Sequence, residues 1–405
     1  MDFNDTPEEA KFRHEVRSWL EANAKPKTAA GFSAENPRYQ RNETDALKVA
    51  KAWQAKKAAK GYARITWPKE IGGMGGTPMQ QVVYSQEEGK FDVPSGFFEI
   101  GLGMCIPTVT HYASKETAAK FVKPALYGEE IWFQLFSEPS AGSDVAGLRT
   151  KAERDGDDWV INGQKIWTSG AQFADMCFCL VRTDNTRKHE GISFLLIDMK
   201  SPGVEVRPIK LISGNSPFCE TFFTDVKVPK ENLMGPLNGG WTIGKRLLQF
   251  ERQGLSGGVG GGGLNRAGEA RSLDQVAKQY IGSDDKGRIA DAELRTRVTN
   301  HLMDMRAFML TVQRSMAEAK GNSSPSFTTS IMKNAGSRIG QDRAELLIEI
   351  MGNQGLGWEG EGFTRDELDT VRGWLGGKAT TIYGGSAEIQ NNIIAKRVLG
   401  LLDHQ

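Results

Sequence analysis

The sequence predicts a mainly α chain with a β domain set in its middle. Three observations carry that expectation: helix-start signals with helical apolar spacing in the first third, short β-branched and aromatic runs between turns in the centre, and long amphipathic segments in the last third. A chain of 405 residues exceeds what one hydrophobic core usually organises. The expected division is an N-terminal helical domain at 1–127, a middle β domain at 128–238 and a C-terminal helical-bundle domain at 239–405.

Thr6-Pro7-Glu8-Glu9 reads as a capping box with proline at the first helical position, followed by Phe12, Val16, Trp19 and Leu20 at helical spacing. Thr77-Pro78-Met79-Gln80 repeats the device before QVVYSQEEGKF. From Ile131 the pattern changes to IWFQLFSEP, DWVINGQKIW, ADMCFCLVRTD, GISFLLIDM, VEVRPI and CETFFTDVKV. Gly156-Asp157, Asn162-Gly163 and Pro202-Gly203 punctuate these runs, which together predict an antiparallel β domain. After Trp241 the segments WTIGKRLLQFER, LRTRVTNHLMDMRAFMLTVQRSMAEAK, FTTSIMKNAGSRIGQDRAELLIEIMG and SAEIQNNIIAKRVLGLL return to helical spacing, as a bundle requires.

Lys and Arg number 51 against 50 Asp and Glu, and neither sign forms a long run, so nothing steers toward nucleic acid or a membrane surface. The N-terminus, MDFNDTPEEAKF, is polar and acidic, and no stretch reaches 18 uninterrupted apolar residues; a soluble, cytoplasmic protein without membrane insertion is expected. Cys105, Cys177, Cys179 and Cys219 are too few and too irregular for a disulfide framework. Cys177 and Cys179, two apart on a strand, read as core filling, and the five histidines lack ligand spacing, so a metal-free site is expected.

Two glycine-rich signals fail on context. Gly258-Val259-Gly260-Gly261-Gly262-Gly263 matches the dinucleotide fingerprint formally, but a helix precedes it where a buried strand is needed. Gly377-Lys378 echoes a phosphate-binding loop, yet Arg372 and Ala379 occupy positions that demand glycine and a hydroxyl.

The stronger signals are FSEPSAGSD, Phe136 to Asp144, and GQKIWTSG, Gly163 to Gly170. Each combines hydroxyls with backbone donors freed by Gly, Pro or Ala, and the second adds a tryptophan, a surface suited to a flat heteroaromatic cofactor with a polar edge. Either motif alone reads equally as an ordinary turn of a β domain.

With ITWPKEIGGMGGT, EIWFQLFSEPSAGSDVAGLRT, INGQKIWTSG, FFTDVKVP and IYGGSAEIQNNIIAKRVLG on one chain, the sequence resembles the acyl-CoA dehydrogenase family of flavoproteins over nearly its whole length. It looks most like the large subunits of bacterial pimeloyl-CoA dehydrogenases and relatives acting on cyclic or unusual acids. The resemblance implies a barrel-like or sandwich middle domain and a C-terminal four-helix bundle. It implies FAD as cofactor, an acyl-CoA substrate, electron-transfer flavoprotein as acceptor, and a homo- or hetero-oligomer built as a dimer of dimers. It places Gln134, Phe136 and Ser137 along the flavin, Ser143 near the pyrophosphate and the acyl-CoA, Trp167 over the flavin ring, Ser169 at its N5 edge and Gly352 at the adenine end.

The implied reaction is α,β-desaturation of the thioester to the trans-2-enoyl-CoA. A carboxylate removes the α proton while hydrogen bonds hold the thioester oxygen, and the β hydrogen leaves as hydride to flavin N5. In many members the carboxylate directly follows the tyrosine of the motif matching Ile382-Tyr383-Gly384-Gly385-Ser386, but here that position is Gly384. Other members carry it on a bundle helix before an arginine, and LLQFERQGLSGG matches them, which makes Glu251 the expected base and Arg252, with Gly384, a substrate-side residue. Glu388, in the first turn of the helix that Ser386 would cap, reads as a helix-dipole partner.

Two departures bear on assembly. KQYIGSDDKGRIADAEL lacks the Arg-x-x-Phe-Gly element that typical members use against a neighbouring FAD, and Glu349 stands where a neutral amide usually meets the adenine end. A homologous small subunit and an α2β2 assembly holding fewer flavins than chains are therefore expected. A scaffold subunit without its own catalysis and an acyl-CoA oxidase are the alternative readings. The glycines after Glu251, Gly258 and Gly261 among them, are expected to clear space for a bulky or ring-bearing acyl group.

Overall fold

In a computed structural model of the chain, the described residues are 5–26, 43–94, 96–256, 272–318 and 328–402. They fall into two compact units: the N-terminal helices and the sheet, through Glu251, form one, and the helices from Arg252 onward, with the turn Leu211–Asn215, form the other.

In the first unit, α1 (Pro7–Asn23) begins on the expected capping box, with Thr6 accepting from the Glu9 amide and Glu9 accepting from the Thr6 amide. The same reciprocal pair, Thr77 and Gln80, opens α3 (Pro78–Glu88). With α2 (Glu43–Lys60), these helices bury Phe12, Val16, Leu20, Trp53, Tyr62, Val83 and Tyr84 as one cluster. Glu87 is fully buried at its side chain, and Arg13, Arg17 and Lys90 converge on its carboxylate. A short β1 (Lys25–Pro26) pairs with β2 (Phe91–Asp92). A π-helical turn, Gly101–Cys105, leads into α4 (Ile106–Tyr112), and α5 (Lys115–Tyr127) follows.

Among the described residues the sheet has seven strands: β3 (Trp132–Leu135), β4 (Lys151–Asp155), β5 (Asp158–Ser169), β6 (Met176–Arg182), β7 (Ile192–Asp198), β8 (Val204–Ile209) and β9 (Phe218–Pro229). Their order is β3-β6-β4-β5-β9-β8, with β7 on the other edge of β6. The expectation of an all-antiparallel sheet is corrected at two places, since β3 and β4 both run parallel to β6. Neither is joined to β6 by a hairpin: β3 enters directly from α5, and the long β5 intervenes between β4 and β6, so the chain has room for the crossover that parallel pairing needs. Asn162-Gly163 is not a turn either. It lies inside β5 at a register shift, where a Cβ on Gly163 would come within 2.7 Å of the Thr150 Cα.

Strands β6 and β7 are buried almost end to end, and the Phe178 and Phe194 rings stack between them at 5.5 Å and 7°. Cys177 and Cys179 are buried free thiols in this core, as their spacing suggested. Helix α6 (Gly240–Ser256) starts against the sheet: Gly240 sits where a Cβ would meet the Ser193 backbone at 2.4 Å.

In the second unit α9 (Thr328–Met351) is the central helix, packed by α7 (Leu273–Ile281), α8 (Ala292–Glu318), α10 (Arg365–Gly377) and α11 (Ala387–Ile393). Its core joins Leu273, Val276 and Val298 to Leu346, Ile350 and Val371. A third capping box, Thr364 with Glu367, opens α10, and Tyr280 donates to the same Glu367 at 2.7 Å.

Candidate active site

The two motifs singled out in the β domain are neighbours. The Ile166 amide donates to the Ser137 carbonyl at 2.9 Å, which ties the segment after β3 to the outer half of β5. Beneath that junction lies a charged pair that sequence reasoning missed. Lys165, fully buried, donates from Nζ to Glu138 Oε1 at 2.7 Å and to the Phe136 carbonyl at 3.2 Å. The Glu138 carboxylate also accepts from the Arg149 and Thr150 amides. Burial pushes the Glu138 carboxyl up, but Lys165 and these donors outweigh it and hold it below its ordinary range. Both residues lie within the quoted motifs, yet a charged letter in a strand ordinarily reads as a solvent-facing position.

Trp167 owes its placement to a β-bulge. Ile166 and Trp167 together face only Glu220 between the paired positions Lys165↔Thr221 and Thr168↔Cys219. The extra residue puts Trp167 at φ 62°, a conformation uncommon for a bulky side chain, and leaves the residue 52% exposed with one edge contact to Phe218. A large aromatic turned outward at a conformational cost is what a stacking surface for a planar group requires. Ser169 is half-buried at the end of β5, and Gly170 follows at φ 61°, where a Cβ would also meet the Phe133 ring at 2.7 Å.

Gln134 Oε1 on β3 and Thr168 Oγ1 on β5 are buried without a hydrogen-bond partner, which leaves unmet polar capacity near these strand ends. An exposed ring, hydroxyls and unpaired buried polar atoms fit a heteroaromatic cofactor with a polar edge. The Phe136 side chain turns into the core against Phe178 and Phe194, so its backbone is the part left to lie along a ligand. Ser143 is exposed in the loop that Lys188 holds through Asp144 at 2.8 Å.

In the second unit, Gly352 opens the 3-10 turn after α9 at φ 54°. Glu349, one turn earlier, is bound by Arg297 at 2.5 Å, so its charge is compensated within the helices. Gly384 and Gly385 have φ of 66° and 86°, and the buried Gln390 amide donates to both of their carbonyls at 3.1 and 3.4 Å. A Cβ on Gly385 would lie 2.3 Å from that amide nitrogen. These glycines therefore serve a left-handed entry into α11, in addition to leaving position 384 without a side chain. Ser386 caps α11, and Glu388 sits in its first turn, where the backbone amide and Ser386 hold its carboxyl below the usual range.

The backbone of Glu251 and Arg252 lies in α6, and position 251 falls one turn beyond the buried Leu247. The side chains of both, and the glycines at 258 and 261, lie outside the described residues. Among the described residues, no group of three or more His, Cys, Asp or Glu could hold a metal, and no helix is long and apolar enough to cross a membrane.

Three family models match the chain in succession: the acyl-CoA dehydrogenase N-terminal domain at residues 6–129, the middle domain at 134–226 and the C-terminal domain at 238–399. The chain is 35% identical over 393 residues to acyl-CoA dehydrogenase IpdE1 of Mycobacterium tuberculosis, spanning 96% of this chain and 97% of that one. Among solved structures, the Tcur3481-Tcur3483 steroid ACAD matches with a TM-score of 0.81 at 26% identity, covering 100% of both chains. The ChsE4-ChsE5 complex from Mycobacterium tuberculosis matches with a TM-score of 0.79 at 27% identity, again over 100% of both chains. The unpaired polar atoms and outward tryptophan of the sheet thus sit in a three-domain fold of known kind, and the chain belongs to the acyl-CoA dehydrogenase family, FAD-dependent oxidoreductases acting on CH–CH bonds.

Proposed function

We propose that this chain catalyses α,β-desaturation of an acyl-CoA thioester to the trans-2-enoyl-CoA, with Glu251 as the base. The observation that carries the assignment of the base is Gly384: the position after Tyr383 has no side chain, and its left-handed backbone disfavours one. A carboxylate on α6, in the Glu251-Arg252 pair, is the remaining candidate in the family's motifs. When bound, FAD supplies the two-electron acceptor for the hydride leaving the β carbon. Trp167, Ser169 and the backbone of Phe136 and Ser137 would hold its ring, while Gln134 and Ser143 offer polar groups nearby and Gly352 serves the adenine end. Glu251 takes the α proton, and Arg252 and the open position at Gly384 border the acyl group.

The named relatives support a bulky substrate and a heteromeric assembly, since one structural neighbour is described as a steroid ACAD and another as a complex of two chains. A ring-bearing acyl-CoA, electron-transfer flavoprotein as acceptor and a homologous partner chain form the reading we adopt. Glu251→Gln tests it. Flavin bleaching by acyl-CoA, followed anaerobically in the assembled protein, should slow by at least about 100-fold. Unchanged bleaching would move the base elsewhere and leave this chain a supporting role.

A further inference from the structure

Arg64 directly precedes the ITWPKEIGGMGGT segment and has no part in the site described above. It stands on a loop that is tied down: its carbonyl accepts from the Trp67 and Met74 amides, and the next carbonyl, of Ile65, accepts from Gly76 at 2.7 Å. The residue is only partly buried, yet its Nε is buried without a partner, and among the described residues its guanidinium makes no hydrogen bond. The Trp67 ring lies 5.7 Å away, and the charge of the Glu99 carboxylate acts on the guanidinium. Burial pulls the guanidinium down to about 10, with Glu99 pulling the other way.

One neighbour of the guanidinium head carries no side chain. The π-helical turn Gly101–Cys105 carries Gly103 where a Cβ would stand 3.1 Å from Arg64 Nη2, so any side chain there would crowd the guanidinium. Gly101 on the same turn lets it press against Trp132 of β3, with only 2.9 Å between an added Cβ and the Trp132 Cβ. Along the chain, Trp132 is five residues before Ser137, a span of at most about 17 Å in extended form. The π turn and the motif-bearing end of β3 are thus separated by the reach of a long or fused-ring acyl group. Interrupted helices of this kind recur at functional sites.

A dehydrated donor without an acceptor is costly unless a ligand supplies one. Glu99 decides which kind. Its carboxylate is fixed by the Gly96 and Phe98 amides at 2.6 and 3.2 Å, and its charge acts on Arg64 at a distance, without a hydrogen bond to the guanidinium. An incoming carboxylate would meet that fixed negative charge, whereas an uncharged carbonyl oxygen accepts the hydrogen bond without repulsion.

We propose that Arg64, with Glu99 and the bare face of Gly103, binds an uncharged carbonyl oxygen on the part of the acyl group remote from the thioester. The proposal rests on the acyl-CoA reading above and narrows the substrate class to oxo-substituted acyl groups.

The test uses the assembled flavoprotein and three CoA thioesters of one carbon skeleton, bearing a remote ketone, a remote carboxylate or neither. Binding is read from the perturbation of the flavin spectrum, turnover from bleaching, and access to Arg64 from its modification by phenylglyoxal, mapped by mass spectrometry. In the wild type the ketone thioester should protect Arg64 from modification better than the unsubstituted one, a result that needs no variant. Arg64→Leu should cut the kcat/KM preference for the ketone over the unsubstituted thioester by about 10- to 100-fold, with Arg64→Lys intermediate. Gly103→Val, which narrows the approach, should act in the same direction. Equal losses on both thioesters together with absent protection would make Arg64 structural and overturn the proposal. A preference for the carboxylate thioester, lost in Arg64→Leu, would overturn the choice of an uncharged oxygen. If no thioester perturbs the flavin at all, the acyl-CoA reading and this proposal fall together.

Discussion

Trp167 holds a left-handed backbone at a bulge, and this separates its structural cost from its use. A residue with a Cβ in that region is less favourable than glycine by about 1 kcal/mol. Urea unfolding should therefore find Trp167→Gly more stable than Trp167→Ala by about 1 kcal/mol, while both variants release FAD more readily than the wild type in ultrafiltration. If FAD retention followed stability instead of ring loss, the stacking assignment would be wrong. The buried Lys165–Glu138 pair makes a different prediction. Lys165→Met leaves a carboxylate enclosed without its cation and should lower stability by about 3–5 kcal/mol, whereas the double variant Lys165→Met, Glu138→Leu should recover most of it. Denaturant titration of the three proteins gives the answer directly. No reading of the linear sequence could pair these residues. They lie 27 positions apart, and only the junction between Ser137 and Ile166 brings the two motifs into register.

At the scale of elements, what could be read from the sequence was local chemistry. The capping boxes at Thr6 and Thr77 are written in four consecutive residues, and both helices start there. The strands follow from runs of β-branched and aromatic residues. The parallel pairing of β3 and β4 with β6 was not legible, because strand direction depends on the route of the chain between strands. The Asn162-Gly163 pair misled for a related reason: glycine serves a bulge next to Thr150 as well as it serves a turn. In the candidate site, the motif that holds Trp167 and Ser169 is visible in the sequence, but the outward turn of Trp167, the inward turn of Phe136 and the unpartnered Nε of Arg64 depend on tertiary neighbours. Where α1 meets α3, Glu87 yields a pH prediction. Burial pushes its carboxyl up, but Arg17, Lys90 and Arg13 outweigh that and bring it to about 2. Its folded value lies below the unfolded one near 4.5, so its contribution is fully present above pH 4.5 and is lost as the pH falls toward 2. Glu87→Gln should lower stability by about 2 kcal/mol at pH 7 and much less near pH 3, allowing for the partly exposed cations. Thermal unfolding across that range would show the difference closing; a constant gap would mean the loss comes from packing.

For the whole molecule, the question is whether one chain suffices. The second compact unit exposes large apolar side chains, including Leu356 at 78%, Ile382 at 68%, Leu399 at 63% and Leu402 at 83%. We propose that a partner chain covers these side chains in the assembly. Glu349 already pairs with Arg297, and the Lys278–Leu294 segment lacks the Arg-x-x-Phe-Gly element that the family resemblance leads one to expect. On the heteromeric reading we propose, another polypeptide supplies the FAD contacts that these two features leave out. Co-expression with a homologous chain from the same genome should yield an α2β2 particle in sedimentation, with fewer FAD than chains by absorbance. Expressed alone, the chain should hold little FAD or aggregate. A homotetramer of this chain with one FAD per chain and full turnover would refute the heteromeric reading and leave the acyl-CoA chemistry standing. Loss of turnover in Glu251→Gln, made in the co-expressed particle, would then place the base on this chain and not on its partner.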